Sequence, residues 1–167
     1  GDTVLHLAAK NQYWEGGTML RRLVREHGAP VDAPNGRGIT PLHWAATFGC
    51  GVSGRVLLEL GSYPAARCNG GLTALHMLGL HAPDDRDSYF VENAYNGDVF
   101  DLAKEQIAAG ADVNAPDEDG QTPLAVAALY TESPLPLLTL LGLKPAGLEL
   151  GEEMTVTTQG LQQAATG

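Results

Sequence analysis

Three histidines recur in one local setting. His6, His43 and His76 each stand three residues after a threonine, in Thr3-Val4-Leu5-His6, Thr40-Pro41-Leu42-His43 and Thr73-Ala74-Leu75-His76. Three imidazoles could hold a zinc ion or relay protons. The spacing argues for neither. Packed helices one structural unit apart are separated by roughly 10 Å, whereas ligands of one metal lie at about 2 Å from it. Cys50 near His43 could act as a thiol nucleophile, but its loop offers no third orienting group and no oxyanion donor motif. Asp117-Glu118-Asp119-Gly120 has the outline of a calcium loop, yet the first ligand position is Ala115 and the final one Val126, so it reads as a solvated turn. Asp84, Asp85, Asp87 and Glu92 lack ligand spacing and read as a solvated or partner-facing run. The chain has no GxSxG, P-loop or GxGxxG pattern, and Asn69-Gly70-Gly71 reads as a turn rather than a phosphate cradle. No catalytic residue, metal site or cofactor is expected.

The histidines are positioned by a recurring helix start. Gly38 to Gly49 reads GITPLHWAATFG. Thr40 is a good N-cap, and Pro41 sits at the first helical position, where its missing N–H costs nothing. Leu42, Ala45 and Ala46 form an apolar face of small residues that lets another helix approach closely. The phrase returns at Thr3, at Thr73 and at Thr122-Pro123-Leu124-Ala125, and the threonines are 37, 33 and 49 residues apart. Leu57-Leu58-Glu59-Leu60-Gly61 and Ile107-Ala108-Ala109-Gly110 close successive units, with Gly28, Gly61 and Gly110 at left-handed helix ends.

These phrases resemble the ankyrin repeat, whose period is about 33 residues with a T-P-L-H-x-A start. The resemblance covers residues 1–142. Val4 and Ala74 depart from its proline, Ala125 from its histidine, and Gln12 stands where a glycine is usual. It implies an all-α solenoid of four stacked helix–turn–helix repeats with β-hairpin-like turns, at approximately 1–34, 35–67, 68–116 and 117–142. A long insertion, Asp84 to Asn96, falls in the third repeat. Residues 143–167 would form a C-terminal cap or a partly disordered tail. It also implies that each histidine bonds backbone across a turn, fixing one repeat to the next.

Within this scheme the first inner helix starts at Thr3, a loop runs from Lys10 to Gly17, and the outer helix spans Thr18 to about His27. The later inner helices span Thr40 to Phe48, Thr73 to His81, and Thr122 to Tyr130. Their outer helices span Ser53 to Leu60, then Asp98 onward with Val99, Leu102, Ala103 and Ile107 inward, then Leu135 to Leu141. A last helix is placed at Val156 to Ala165. The opening Gly1-Asp2-Thr3 lies inside a repeat, as in a piece of a longer protein.

Charge is unevenly spread. The net −10 divides into +2 over residues 1–83, −9 over 84–119 and −3 over 120–167. The acidic third repeat repels phosphate backbones, so nucleic acid is not an expected partner. No run of about 18 apolar residues suggests a membrane span, and no signal peptide is visible. Two cysteines are too few for a disulfide framework and fit a reducing, cytoplasmic compartment, with a nuclear or host-cytosol destination also open.

What the resemblance implies is protein recognition by a monomeric module, a fragment of a scaffold, adaptor or secreted effector. The family's variable positions map to Arg37, Ile39, Thr47, Phe48, Leu72, Leu80, His81, Gln121 and Tyr130 on one concave face. Glu118 and Asp119 join them at a turn tip, and Tyr89 and Phe90 in the insertion, whose aromatics would pin the loop while its carboxylates favour a partner with a basic segment. The alternatives are a regulatory domain of an enzyme whose catalytic part lies outside the chain, and an autonomous enzyme using Cys50 or the histidines.

Overall fold

The computed structural model describes residues 1–11, 14–80 and 101–130. The expected insertion, the 131–142 part of the fourth repeat and the 143–167 segment lie outside them. Among the described residues the fold is all-α, with no strand. The elements are α1 (Val4–Ala9), α2 (Trp14–Arg25), α3 (Pro41–Thr47), α4 (Gly51–Glu59), α5 (Ala74–Leu80), α6 (described over 101–108) and α7 (Pro123–Tyr130).

The helices α1, α3, α4, α5 and α7 are short, six to nine residues each. Isolated helices of that length are marginal in water, so tertiary packing must hold them. The inner helices α1, α3, α5 and α7 pack in succession, and α2 packs on α4 behind them. One apolar cluster runs through the stack: Leu5, Leu20, Leu42, Leu57, Leu75, Leu78 and Leu102 are almost wholly buried, with Ala9, Ala45, Ala46 and Ala103 between them. Alanine at these places sets the short distance between successive inner helices.

Helix starts fall where the threonines place them, and α1 and α3 open with capping boxes. The residue three after the threonine is histidine rather than the usual glutamate or glutamine. The C-terminal glycines are left-handed: Gly61 has φ 91° and Gly110 φ 99°. Their neighbours complete paired 6→1 and 5→2 closures, Ser62 N–H to Leu57 O at 2.9 Å with Gly61 N–H to Leu58 O, and Ala111 N–H to Gln106 O at 2.9 Å with Gly110 N–H to Ile107 O.

Two outer helices begin earlier than the sequence suggests. α2 starts at Trp14 rather than Thr18, and α4 at Gly51 rather than Ser53. Gly16-Gly17 reads as loop punctuation, yet both residues are buried in α2 where it meets α4. A Cβ on Gly16 would lie 3.0 Å from Ser53 Oγ, and one on Gly17 would lie 3.2 Å from Val56 Cγ2. Close helix approach, not turn geometry, is what selects these glycines.

Candidate protein-binding surface

The inner helices α1, α3 and α5 are each tied to the next unit through a histidine. The amide of Thr40 donates to His43 Nδ1 at 3.2 Å, and the Thr40 hydroxyl lies 2.8 Å from the same nitrogen. His43 Nε2–H then donates to the Leu72 carbonyl at 3.1 Å. His6 does the same from Thr3 to the Ile39 carbonyl at 2.7 Å, and His76 from Thr73 to the Gln121 carbonyl at 3.1 Å. A carbonyl only accepts and an amide only donates, so each ring carries its proton on Nε2. Burial lowers the pKa of His43 and of His76, because an imidazolium there would lose its hydration, and the carbonyl bonds only partly offset that. The trio is therefore a set of separate rungs, with both ring nitrogens of each histidine engaged. At the fourth start Ala125 has no ring, and Thr122 Oγ1 accepts the Ala125 amide at 3.3 Å instead.

The thiol reading loses its chemistry here. Cys50 is buried and its pKa is pushed up to about 12 by desolvation, so the thiolate is scarce at neutral pH. His43 is already committed at both nitrogens and cannot take its proton.

The turns form a second ladder. Each tip closes on itself, Asn35 N–H to Ile39 O at 2.8 Å, Cys68 N–H to Leu72 O at 2.9 Å and Asp117 N–H to Gln121 O at 2.9 Å. Gly38, Gly71 and Gly120 hold the same left-handed place in the three tips, with φ of 72°, 75° and 78°. Successive tips then join edge to edge, Asn69 N–H to Arg37 O at 3.0 Å and Glu118 N–H to Gly70 O at 2.9 Å. The Asp117 carboxylate turns inward and accepts the amides of Asp119 and Gln121.

On this frame Arg37, Glu118 and Asp119 are exposed at tips, and Thr47, Phe48 and Leu80 are exposed at the C-terminal ends of α3 and α5. Ile39 and Leu72 are half-buried against the core, and with Gln121 they lend their carbonyls to the histidine rungs. Tyr130 ends α7. His81, Tyr89 and Phe90 lie outside the described residues.

Two residues join the surface that sequence reasoning left out. The half-buried Trp44 ring meets His6 edge-on, with centroids 5.8 Å apart, and lies 5.4 Å from the Phe48 ring. Lys10 Nζ stands 5.5 Å over the indole. Lys10 occupies the register of Thr47 and Leu80, so the rule that selects those two selects it as well.

These rungs, tips and glycine closures agree with the repeat that comparison with known proteins supports. The chain carries ankyrin repeats. The family model described as Ankyrin repeat matches residues 1–36. A mouse (Mus musculus) protein, ankyrin repeat domain-containing protein SOWAHD, is 38% identical over 81 residues, 47% of this chain. The chain spans about a quarter of that relative's length. The architecture is the all-α ankyrin solenoid, and ankyrin repeats generally mediate contacts between proteins. Among the described residues no helix is long and apolar enough to cross a membrane.

Proposed function

We propose that this chain is a protein-binding module that holds a segment of its partner along the inner-helix ends and turn tips. The observation that carries the reading is Phe48. It is 40% exposed at the end of α3, and its ring is held against Trp44 rather than tucked into the core. An aromatic fixed in place and open to solvent offers large contact area at little entropic cost, the usual make-up of an interface anchor. Leu80 is exposed at the end of the next inner helix, and α3 packs on α5. Lys10 and Arg37 lie at one end of the row of units, and Glu118 and Asp119 at the other. The acidic tip supports a partner with a basic segment, helped by the acidic insertion and by Tyr89 and Phe90. The buried thiols of Cys50 and Cys68 are both unpaired, which supports a reducing compartment.

The test is affinity capture from native lysate with the wild-type chain and with Phe48→Ala and Leu80→Ala variants, each checked for unchanged thermal unfolding. A partner held by the wild type and lost or weakened at least about tenfold in the folded variants supports the anchor. Equal retention by all three removes these residues from the binding surface.

A further inference from the structure

The stack has one face whose chemistry does not suit an end. Val4 and Leu7 on α1 are 58% and 52% exposed, and Met19 on α2 is 57% exposed. In the next unit the register of Val4 is held by Pro41, which is buried, and that of Leu7 by Trp44, which is half-buried. One unit further on these places hold Ala74 and Met77, at 1% and 9% exposure. Met19 and Leu23 stand in register with Val52 and Val56, the α4 side chains that press on Gly17 of α2. On the matching side of α2 lies an open groove of about 390 Å³, with Trp14, Met19 and Leu23 in its lining and Glu15, Arg22 and His27 also bordering it. Terminal units of a solenoid need a polar outer face for solubility, and this one exposes Val4, Leu7, Trp14 and Met19.

Two backbone ladders reach the same face and continue past it. The carbonyls of Ile39, Leu72 and Gln121, each just before a threonine, take a histidine from the unit before. Asp2 holds that place before Thr3, and the three histidines of the ladder are all engaged elsewhere. In the tips, Asn69 and Glu118 donate their amides to the preceding tip. The amide in their register in the first tip is Gly36, and no acceptor for it occurs among the described residues.

We propose that this face is an internal repeat interface, covered in the natural polypeptide by a further helix–turn–helix unit contributed by residues that precede position 1. Its inner helix lies over Val4 and Leu7, and its outer helix fills the groove above Met19 and Leu23. A histidine on it donates Nε2–H to the Asp2 carbonyl, and a carbonyl of its tip accepts the Gly36 amide. Glu26 is in register with Glu59, whose carboxylate takes Arg21 from the preceding outer helix at 2.7 Å. An arginine on the added outer helix would reach Glu26 in the same way, displacing its 3.4 Å contact with Arg22.

The experiment compares residues 1–167 with the full natural polypeptide. Leu7→Cys and Met19→Cys report exposure by their rate of maleimide labelling, and Thr47→Cys is the control; the native thiols are buried. Hydrogen exchange at the Gly36 amide reports the ladder in the unsubstituted protein. The expected result is labelling at positions 7 and 19 at least about tenfold slower in the full polypeptide, equal labelling at 47, and a slowed Gly36 amide. Equal rates at 7 and 19 would overturn the proposal. So would shielding of 7 and 19 with Gly36 exchange unchanged, since something other than an in-register repeat would then cover the face. A natural polypeptide with fewer than about 30 residues ahead of position 1 would overturn it as well, because a repeat needs that length.

Discussion

Replacing Gly54 by alanine sets two known effects against each other. Gly54 lies in the middle of α4, where alanine normally gains about 0.5–1 kcal/mol by restricting the unfolded chain and favouring the helix. The structure opposes this. A Cβ at residue 54 would lie 2.5 Å from Leu102 Cδ1, 2.8 Å from Cδ2 and 3.2 Å from Cγ. Carbon atoms prefer about 3.5–4.0 Å, so the overlap is about 1 Å. Leu102 is fully buried and has nowhere open to turn. Overpacking of this kind costs about 1–3 kcal/mol, which exceeds the helix gain. The net expectation is a loss of about 1 kcal/mol, seen as a fall of roughly 2–4 °C in Tm. Leu102→Ala alone should cost about 2–5 kcal/mol. In the double variant the new methyl enters the space that Leu102 vacates, so the two losses should fall short of their sum by at least about 0.5 kcal/mol. Urea unfolding of the four proteins, followed by circular dichroism, measures the cycle. A Gly54→Ala variant that is more stable by the full helix gain, and additive with Leu102→Ala, would refute the close approach of α4 and α6.

Other outcomes follow from the same structure. His43 and His76 have folded pKa values below the unfolded value, so the unfolded state takes up protons first as pH falls. Stability should be full above about pH 6.5 and should decline as pH drops below it, at no more than about 1.4 kcal/mol per pH unit for each histidine; a denaturant series from pH 8 to 5 reads this, and a flat profile would contradict it. Gln106 stands in the register of Leu57, is fully buried, and neither atom of its amide has a partner among the described residues. Gln106→Leu should therefore stabilise by about 1–3 kcal/mol, visible as a higher urea midpoint at unchanged slope. His43→Ala leaves the buried Thr40 amide without its acceptor, while the Leu72 carbonyl keeps its bond from the Cys68 amide, and should cost about 1–3 kcal/mol, measurable as a lowered midpoint. Glu118→Gln with Asp119→Asn should leave the fold unchanged, slow association with a basic partner and flatten its salt dependence in surface plasmon resonance; an unchanged salt slope would take the tip out of recognition.

The sequence alone determined where the inner helices start and the glycine-marked helix ends, but not where α2 and α4 begin. A threonine cap, a proline at the first helical position and a glycine at the C-terminal end act within a few residues of backbone, so their meaning survives without tertiary context. The separate, structural role of His6, His43 and His76 was legible for a related reason, since residues of one type spaced by a whole repeat cannot meet at one metal. Tertiary structure decided what depends on neighbours across the stack. Gly16, Gly17 and Gly54 look like loop or weak-helix residues until the opposing Ser53, Val56 and Leu102 are in place. Lys10 and Trp44 joined the proposed surface only when the packing of α1 on α3 set the ammonium and the Phe48 ring beside the indole. That Ile39 and Leu72 are half-buried against the core and lend their carbonyls to the histidines was likewise decided by packing between units. The exposed Val4, Leu7 and Met19 carry the same apolar pattern as buried residues, and pattern cannot tell a covered face from an open one; only the packing of successive units does, because burial is a property of pairs of elements rather than of one segment.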